Sequence, residues 1–194
     1  MTTSDAIVVP ELYVGYPEVA FGGYIAGVLA ERSGARTVRV DFRGPVPVEV
    51  PVRITETADE GVELGEAERP LAAARPAELP LEVPDRGLVA SAWTPSHAFA
   101  DADGLLPTQL VWGALDCPGH WAGRFLGTLR AGAVTASLTG TVLRPVVAGE
   151  PHISYAWLVS ESGRKHTMGV ALATAEGELC GVSEALWIDP KAAA

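Results

Sequence analysis

The chain has 194 residues, 48% of them hydrophobic, which excludes a disordered or fibrous protein and supplies one core of ordinary size or two small ones. Fourteen basic residues against 24 acidic ones leave a net charge of −10, so neither nucleic acid nor an anionic membrane surface is an expected partner. Glycine (21) and proline (15) exceed average usage, pointing to many turns and much β structure. The two cysteines, Cys117 and Cys180, lie in apolar segments and read as reduced core residues of a cytosolic protein. With no leader pattern at Met1–Ala6 and no apolar run of about 20 residues, a cytoplasmic location is expected.

In chain order, Phe21, Tyr24, Ile25, Val28 and Leu29 recur at i, i+3, i+4, i+7 and i+8 and predict a helix over 21–30. Val38, Val40 and Phe42 alternate with Arg39, Asp41 and Arg43, and Val48, Val50, Val52 and Ile54 continue the alternation after a proline turn. Pro51 asks for an edge position or a bulge. Residues 61–67 and 71–75 form a weaker hairpin pattern. The stretch from Pro76 to Pro107 reads as a linker with one short strand at 87–93. A second helix is expected from Cys117, because Cys117, Trp121, Phe125 and Leu129 fall at i, i+4, i+8 and i+12. Pro118 then sits in the first turn and Asp116 at the N-cap. Strands follow at 137–145, 153–159, 165–174 and 179–188, with turns at 161–164 and 175–178. Gly27, Gly123 and Gly127 recur at helical spacing although each costs about 0.5–1 kcal/mol there, which asks for a helix backbone pressed against something, such as a sheet.

The order of helix, strand, proline turn and strands occurs twice. Gly23, Ala26 and Gly27 match Gly119, Ala122 and Gly123 at an offset of 96 (119 − 23), while Pro45 and Pro145 are offset by 100 (145 − 45). The expected architecture is α+β: a double hotdog, two units each with a long helix wrapped by an antiparallel β-sheet, the helices side by side about a pseudo-two-fold axis. Residues 1–79 form the first unit, 80–105 a Pro-rich linker and 106–190 the second unit.

On Phe21-Gly-Gly23, Ala114-Leu-Asp116, Leu143-Arg-Pro145 and the hairpin from Gly163-Arg-Lys165 to Ala175-Glu-Gly177, the sequence resembles the double-hotdog acyl-CoA thioesterases, thioesterase II and its relatives, over most of both halves. The resemblance implies hydrolysis of an acyl-CoA or acyl-carrier thioester, with no cofactor and coenzyme A entering as part of the substrate. It implies that Asp116 activates the attacking water. Thr135 falls at the position of the family's water-holding threonine. Ala175 falls where the glutamine aligns, a departure that leaves Thr108, Gln109, Glu18 or His120 as substitutes. In single-hotdog thioesterases a carboxylate on the first helix is catalytic, and Glu31 ends that helix here; followed by Arg32-Ser-Gly34 it also fits a solvated helix end.

Each candidate has a plainer alternative. Gly22 and Gly23 open the first helix, where free N–H groups and the positive dipole end suit an oxyanion; close packing asks for the same residue. Asp116 fits a general base or an N-cap. His120, four residues later, fits a His–carboxylate pair or an exposed turn. Arg164 and Lys165, with Arg144, fit recognition of coenzyme A phosphates or mere exposure. His97, His152 and His166 show no metal-ligand spacing with the cysteines, so no metal is expected. Two further functions stay open: a non-catalytic hotdog that binds acyl-CoA or another apolar ligand, and a cysteine hydrolase using Cys117 with His120. Free sheet edges allow a homodimer or higher oligomer.

Overall fold

The computed structural model describes residues 4–58, 60–66, 69–79 and 87–191. The first half contains β1 (Ser4–Val8), β2 (Val14–Tyr16), β3 (Val19–Ala20), α1 (Gly22–Ser33), β4 (Thr37–Phe42), β5 (Pro51–Glu56), β6 (Val62–Glu66) and β7 (Arg69–Pro76). The second contains β8 (Val89–Trp93), α2 (Thr108–Phe125), β9 (Val134–Val142), β10 (His152–Ser162), β11 (Lys165–Thr174) and β12 (Leu179–Ile188). One antiparallel sheet runs β1-β5-β6-β7-β4-β9-β12-β11-β10-β8, and β2 and β3 form a separate hairpin. The helices pack against each other, α1 over β4, β6 and β7 and α2 over β9 to β12.

The sheet is pseudo-symmetric about the β4–β9 ladder. Thr37 pairs with Thr141 and Asp41 with Ser137, so a shift of 100 residues (141 − 41) maps the ladder onto itself. Up to and through the helices the shift is 86. The bridge Val19–Pro47 becomes Leu105–Val147 (105 − 19 = 86; 147 − 47 = 100), and the pair Asp5–Ile54 becomes Ser91–Ser154. The strand offset read from the prolines therefore stands, whereas the helix offset of 96 is corrected to 86. Part of the 14-residue difference (100 − 86) is the length of α2, 18 residues against 12 for α1.

Helix packing obeys the same shift. A Cβ at Gly23 would lie 2.7 Å from Gly113 Cα, and one at Gly27 would lie 2.4 Å from Gln109 Cα. These α1 glycines thus let helix approach helix, not helix approach sheet. Gly119 does face the sheet, against Met168, Val170 and Trp187. Gly127 lies beyond α2 with φ +73° and serves the chain reversal there.

Helix α2 departs most from expectation. It starts at Thr108, so Asp116 is a mid-helix residue and Pro118 lies inside the helix. The stripe of Cys117, Trp121 and Phe125 faces outward, with Trp121 61% and Phe125 80% exposed. The apolar face it buries includes Val111, Trp112, Leu115, Gly119 and Ala122, and Gly113, Asp116 and Gly123 are buried as well. Strand β1 has no counterpart in the expected elements; it pairs with β5 from Ser4–Thr55 to Val8–Pro51. Its symmetry mate β8 is the short strand expected inside the linker. Strand β5 begins only at Pro51, a position where a missing N–H is tolerated.

Candidate active site

Asp116 is 2% exposed and sits where the two helices touch. Its position follows from three contacts. Ser183 Oγ on β12 donates to the Leu115 carbonyl at 2.6 Å and fixes α2 just before the aspartate. Gly23 lets the start of α1 close in, since a Cβ there would stand 3.0 Å from Asp116 Cβ. A Cβ at Gly22 would lie 3.6 Å from Asp116 Oδ2. Close packing and a place beside the carboxylate are thus one property of these glycines. Thr135 Oγ1 donates to Asp116 Oδ1 at 3.1 Å, and the Gly23 N–H also bonds the carboxyl group. Burial nevertheless dominates and pushes Asp116 up from its ordinary 3.8 to about 7, the two hydrogen bonds opposing it.

The first intrahelical bond of α1 runs from the Ile25 N–H to the Phe21 carbonyl. The N–H groups of Gly22, Gly23 and Tyr24 therefore precede the ladder, and Gly23 spends its own on Asp116. Phe21 Cζ would meet a Cβ at Gly23 at 3.0 Å, and Phe21 Cε1 one at Gly113 at 2.8 Å. Its ring thus lies across the glycines that flank the aspartate.

Thr135 pairs with Trp187, and Trp187 with His166. His120, one turn beyond Asp116, lies tilted against Trp187, the ring centroids 5.0 Å apart and the planes at 30°. His120 Nε2, Trp187 Nε1 and both ring nitrogens of His166 are buried without hydrogen-bond partners. Burial first, then Arg124, lowers the His120 pKa. Asp116 takes its hydrogen bonds from Thr135 and Gly23, not from His120. Ala175 is exposed in the turn at the other end of β11, so the side chains beside Thr135 are Trp187 and His166.

The duplication supplies a comparison within the molecule. Subtracting 86 from 116 gives Ala30, and subtracting 100 from 135 gives Ala35. One of the two quasi-equivalent places holds the carboxylate and its threonine; the other holds two alanines.

The remaining candidates separate. Glu31 is exposed in the last turn of α1 and accepts a hydrogen bond from Gln109 Nε2, so both are engaged with each other. Thr108 is the first residue of α2, and Glu18 is exposed with φ 63°. Arg164 donates to the Asp189 carbonyl at 2.6 Å, Lys165 is exposed beside it, and His166 is buried, 3.4 Å from Asp189 Oδ2. Arg130 joins this group through Asp189, its backbone N–H donating to Oδ1 at 2.9 Å. These cations lie at the sheet end where Thr135 lies, because Lys165 pairs with Ile188 and Ile188 with Val134. Arg144 lies beyond the other end of β9 and pairs with Glu178 at 2.5 Å, which separates it from the patch. Cys117 is open to solvent on one side, yet burial and the Asp116 carboxylate push its thiol up to about 12. At neutral pH it is a thiol and a poor nucleophile. Cys180 is buried, its sulfur 3.7 Å from the Glu178 carbonyl.

An apolar cleft of about 310 Å³ opens beside α2, walled by Phe21, Leu110, Gly113, Ala114 and Cys117 on the helix side and by Trp93 and Ser154 on the sheet side. That volume is at the lower end for small-molecule sites. Phe21 and Gly113 belong both to this wall and to the surroundings of Asp116.

The fold is a double hotdog, and among the described residues Asp116 is the one buried carboxylate at the helix interface. No protein-family model and no curated protein matches the chain. Solved structures do match it. A protein assigned as an oleoyl thioesterase from Lactobacillus plantarum superposes with a TM-score of 0.70 at 11% identity, over 98% of both chains. A tesB protein from Mycobacterium avium subsp. paratuberculosis superposes at 0.67 with 15% identity, over 96% of this chain and 93% of that one. A conserved hot dog protein of unknown function from Alicyclobacillus acidocaldarius superposes at 0.65 with 12% identity, over 98% and 94%. At these identities the likeness establishes the hotdog fold.

Proposed function

We propose that the protein hydrolyses acyl thioesters of coenzyme A or of a carrier-bound pantetheine arm, with Asp116 as general base. The observation that carries this reading is a buried carboxylate that accepts from Thr135 of β9 and faces the glycines at the start of α1, with burial raising its pKa. A base poised near the working pH is what water activation asks for. Water gives a proton to Asp116 as its oxygen adds to the thioester carbon. The Gly22 N–H, at the positive end of α1, takes the oxyanion. Collapse breaks the C–S bond, and the leaving thiolate takes up the proton from Asp116. The acyl chain occupies the apolar cleft, which it enters past Phe21. The cations Arg164, Lys165 and Arg130 meet the phosphates.

The structural neighbour assigned as an oleoyl thioesterase supports hydrolysis of an acyl thioester. The high thiol pKa of Cys117 argues against the cysteine mechanism. A cytoplasmic location and self-association remain parts of this proposal. The test is thiol release from acyl-CoA esters of several chain lengths by wild type and Asp116→Asn. Turnover by wild type with a fall of about 10²–10⁴ in the variant supports the assignment. Binding of acyl-CoA without turnover by wild type makes the protein an acyl-thioester binder instead.

A further inference from the structure

The apolar cleft contains a polar group that the protein itself leaves unused. Ser154 lines it, is 7% exposed, and its Oγ has no hydrogen-bond partner among the described residues. The other serine on the wall, Ser96, is engaged, accepting from the Ala98 N–H at 3.2 Å. The fold does not demand a hydroxyl at 154. The shift of 100 residues places Ile54 at the equivalent strand position, where it is buried, and Asp5 pairs with Ile54 as Ser91 pairs with Ser154. Pro118, inside α2, cannot donate to the Ala114 carbonyl four residues back, and both residues line the cleft.

A saturated chain filling this space would leave the Ser154 hydroxyl buried and unpaired, the costly arrangement for a polar group. An oxygen on the ligand would satisfy it. That oxygen is not the thioester carbonyl. Asp116 and Ala114 are two residues apart on a helix, so their side chains diverge by about 200° around α2, whose width with side chains is about 10 Å. We propose that the acyl group carries a hydroxyl or keto oxygen on the part of its chain remote from the thioester, and that Ser154 selects it. This rests on the acyl-thioester reading of the site.

Binding separates the two ideas. Non-hydrolysable thioether analogues of acyl-CoA, matched in length, would be titrated calorimetrically: one saturated, the others hydroxylated at successive remote carbons. Wild type is expected to bind one hydroxylated analogue about tenfold more tightly than the saturated one, roughly the net worth of a hydrogen bond. Ser154→Ala is expected to bind the two equally; the buried Ile54 at the equivalent position indicates that an apolar side chain is tolerated there. Equal binding of all analogues by wild type overturns the proposal. So does a uniform loss in Ser154→Ala with the preference retained, which would assign the serine to the amides of the pantetheine arm. A preference for the hydroxylated analogue with no turnover of the matching thioesters supports Ser154 while overturning the hydrolase.

Discussion

Asp116→Asn tests the site through stability as well as through activity. Raising the folded-state pKa from 3.8 to about 7 makes the charged form costlier in the folded protein by about 4 kcal/mol, at about 1.4 kcal/mol per pKa unit. The folded state holds its proton more tightly than the unfolded chain, so between pH 3.8 and about 7 stability falls as pH rises. Below that window the cost is absent, and above it the cost is complete. At pH 5 only about 1.6 kcal/mol of it has accrued. Asparagine has no such titration. The stability of Asp116→Asn relative to wild type should therefore improve by about 3 kcal/mol between pH 5 and pH 8.5. The unpaired amide N–H₂ of the variant adds a pH-independent cost of about 1–3 kcal/mol, which cancels in the difference. Urea unfolding at both pH values measures it. A relative stability that is flat from pH 5 to pH 8.5 would refute a buried, raised carboxyl. The N-cap position expected for Asp116 from the sequence predicts that flat result, since asparagine caps as well as aspartate.

Thr135→Val removes a hydrogen bond that favours the charged carboxylate, so the rise of kcat with pH should move to higher pH, read from a pH–rate profile between 5 and 9. Phe21→Ala lets water reach Asp116, so its pKa should fall and the same rise should move to lower pH, while KM for apolar chains increases. Arg164→Ala with Lys165→Ala should raise KM for coenzyme A esters several-fold with little change in kcat; Arg144→Ala, already paired with Glu178, should leave both constants unchanged in steady-state assays. Cys117→Ala should keep turnover within a few-fold, and its inactivation would restore the thiol mechanism.

Elements with a clean period were legible in the sequence: α1 from Phe21 to Leu29, and the long strands of the second half. Helix α2 was not, for a physical reason. The apolar face it buries includes Val111, Trp112, Leu115, Gly119 and Ala122, with two small residues where Met168, Val170 and the neighbouring elements press in. The larger side chains Trp121 and Phe125 face solvent and give the stronger apolar period. Pro118 then looks like a helix start, because a proline inside a helix ordinarily breaks it. Strand β1 is only five residues long, at the sheet edge. The resemblance and the glycine pattern named Asp116, Thr135, Gly22 and Gly23 one by one; the contacts of Thr135 and the glycines with the carboxyl group are read only from the structure. Phe21 was legible only as part of the α1 stripe, and Trp187 and Ser154 drew no notice as site residues, since their meaning lies in which side chains the two halves bring together.

The duplication bears on why only one of the two quasi-equivalent places holds a carboxylate. A carboxylate buried at each of the two quasi-equivalent places would add a second cost of about 4 kcal/mol above pH 7, a large part of the roughly 5–15 kcal/mol by which a domain is stable. Ala30 and Ala35 avoid that cost in the first half. The first half still contributes to the surroundings of the carboxylate, because the start of α1 brings Phe21, Gly22 and Gly23 to the aspartate of α2. Each half is therefore incomplete alone: α1 has the helix start without the carboxylate, and α2 has the carboxylate in mid-helix, away from its own free N–H groups. Joining the halves in one chain lets the two places diverge, so that Ser154 can replace the apolar residue kept at Ile54 without imposing a hydroxyl on both. A symmetric dimer of identical halves would have to carry every such change twice.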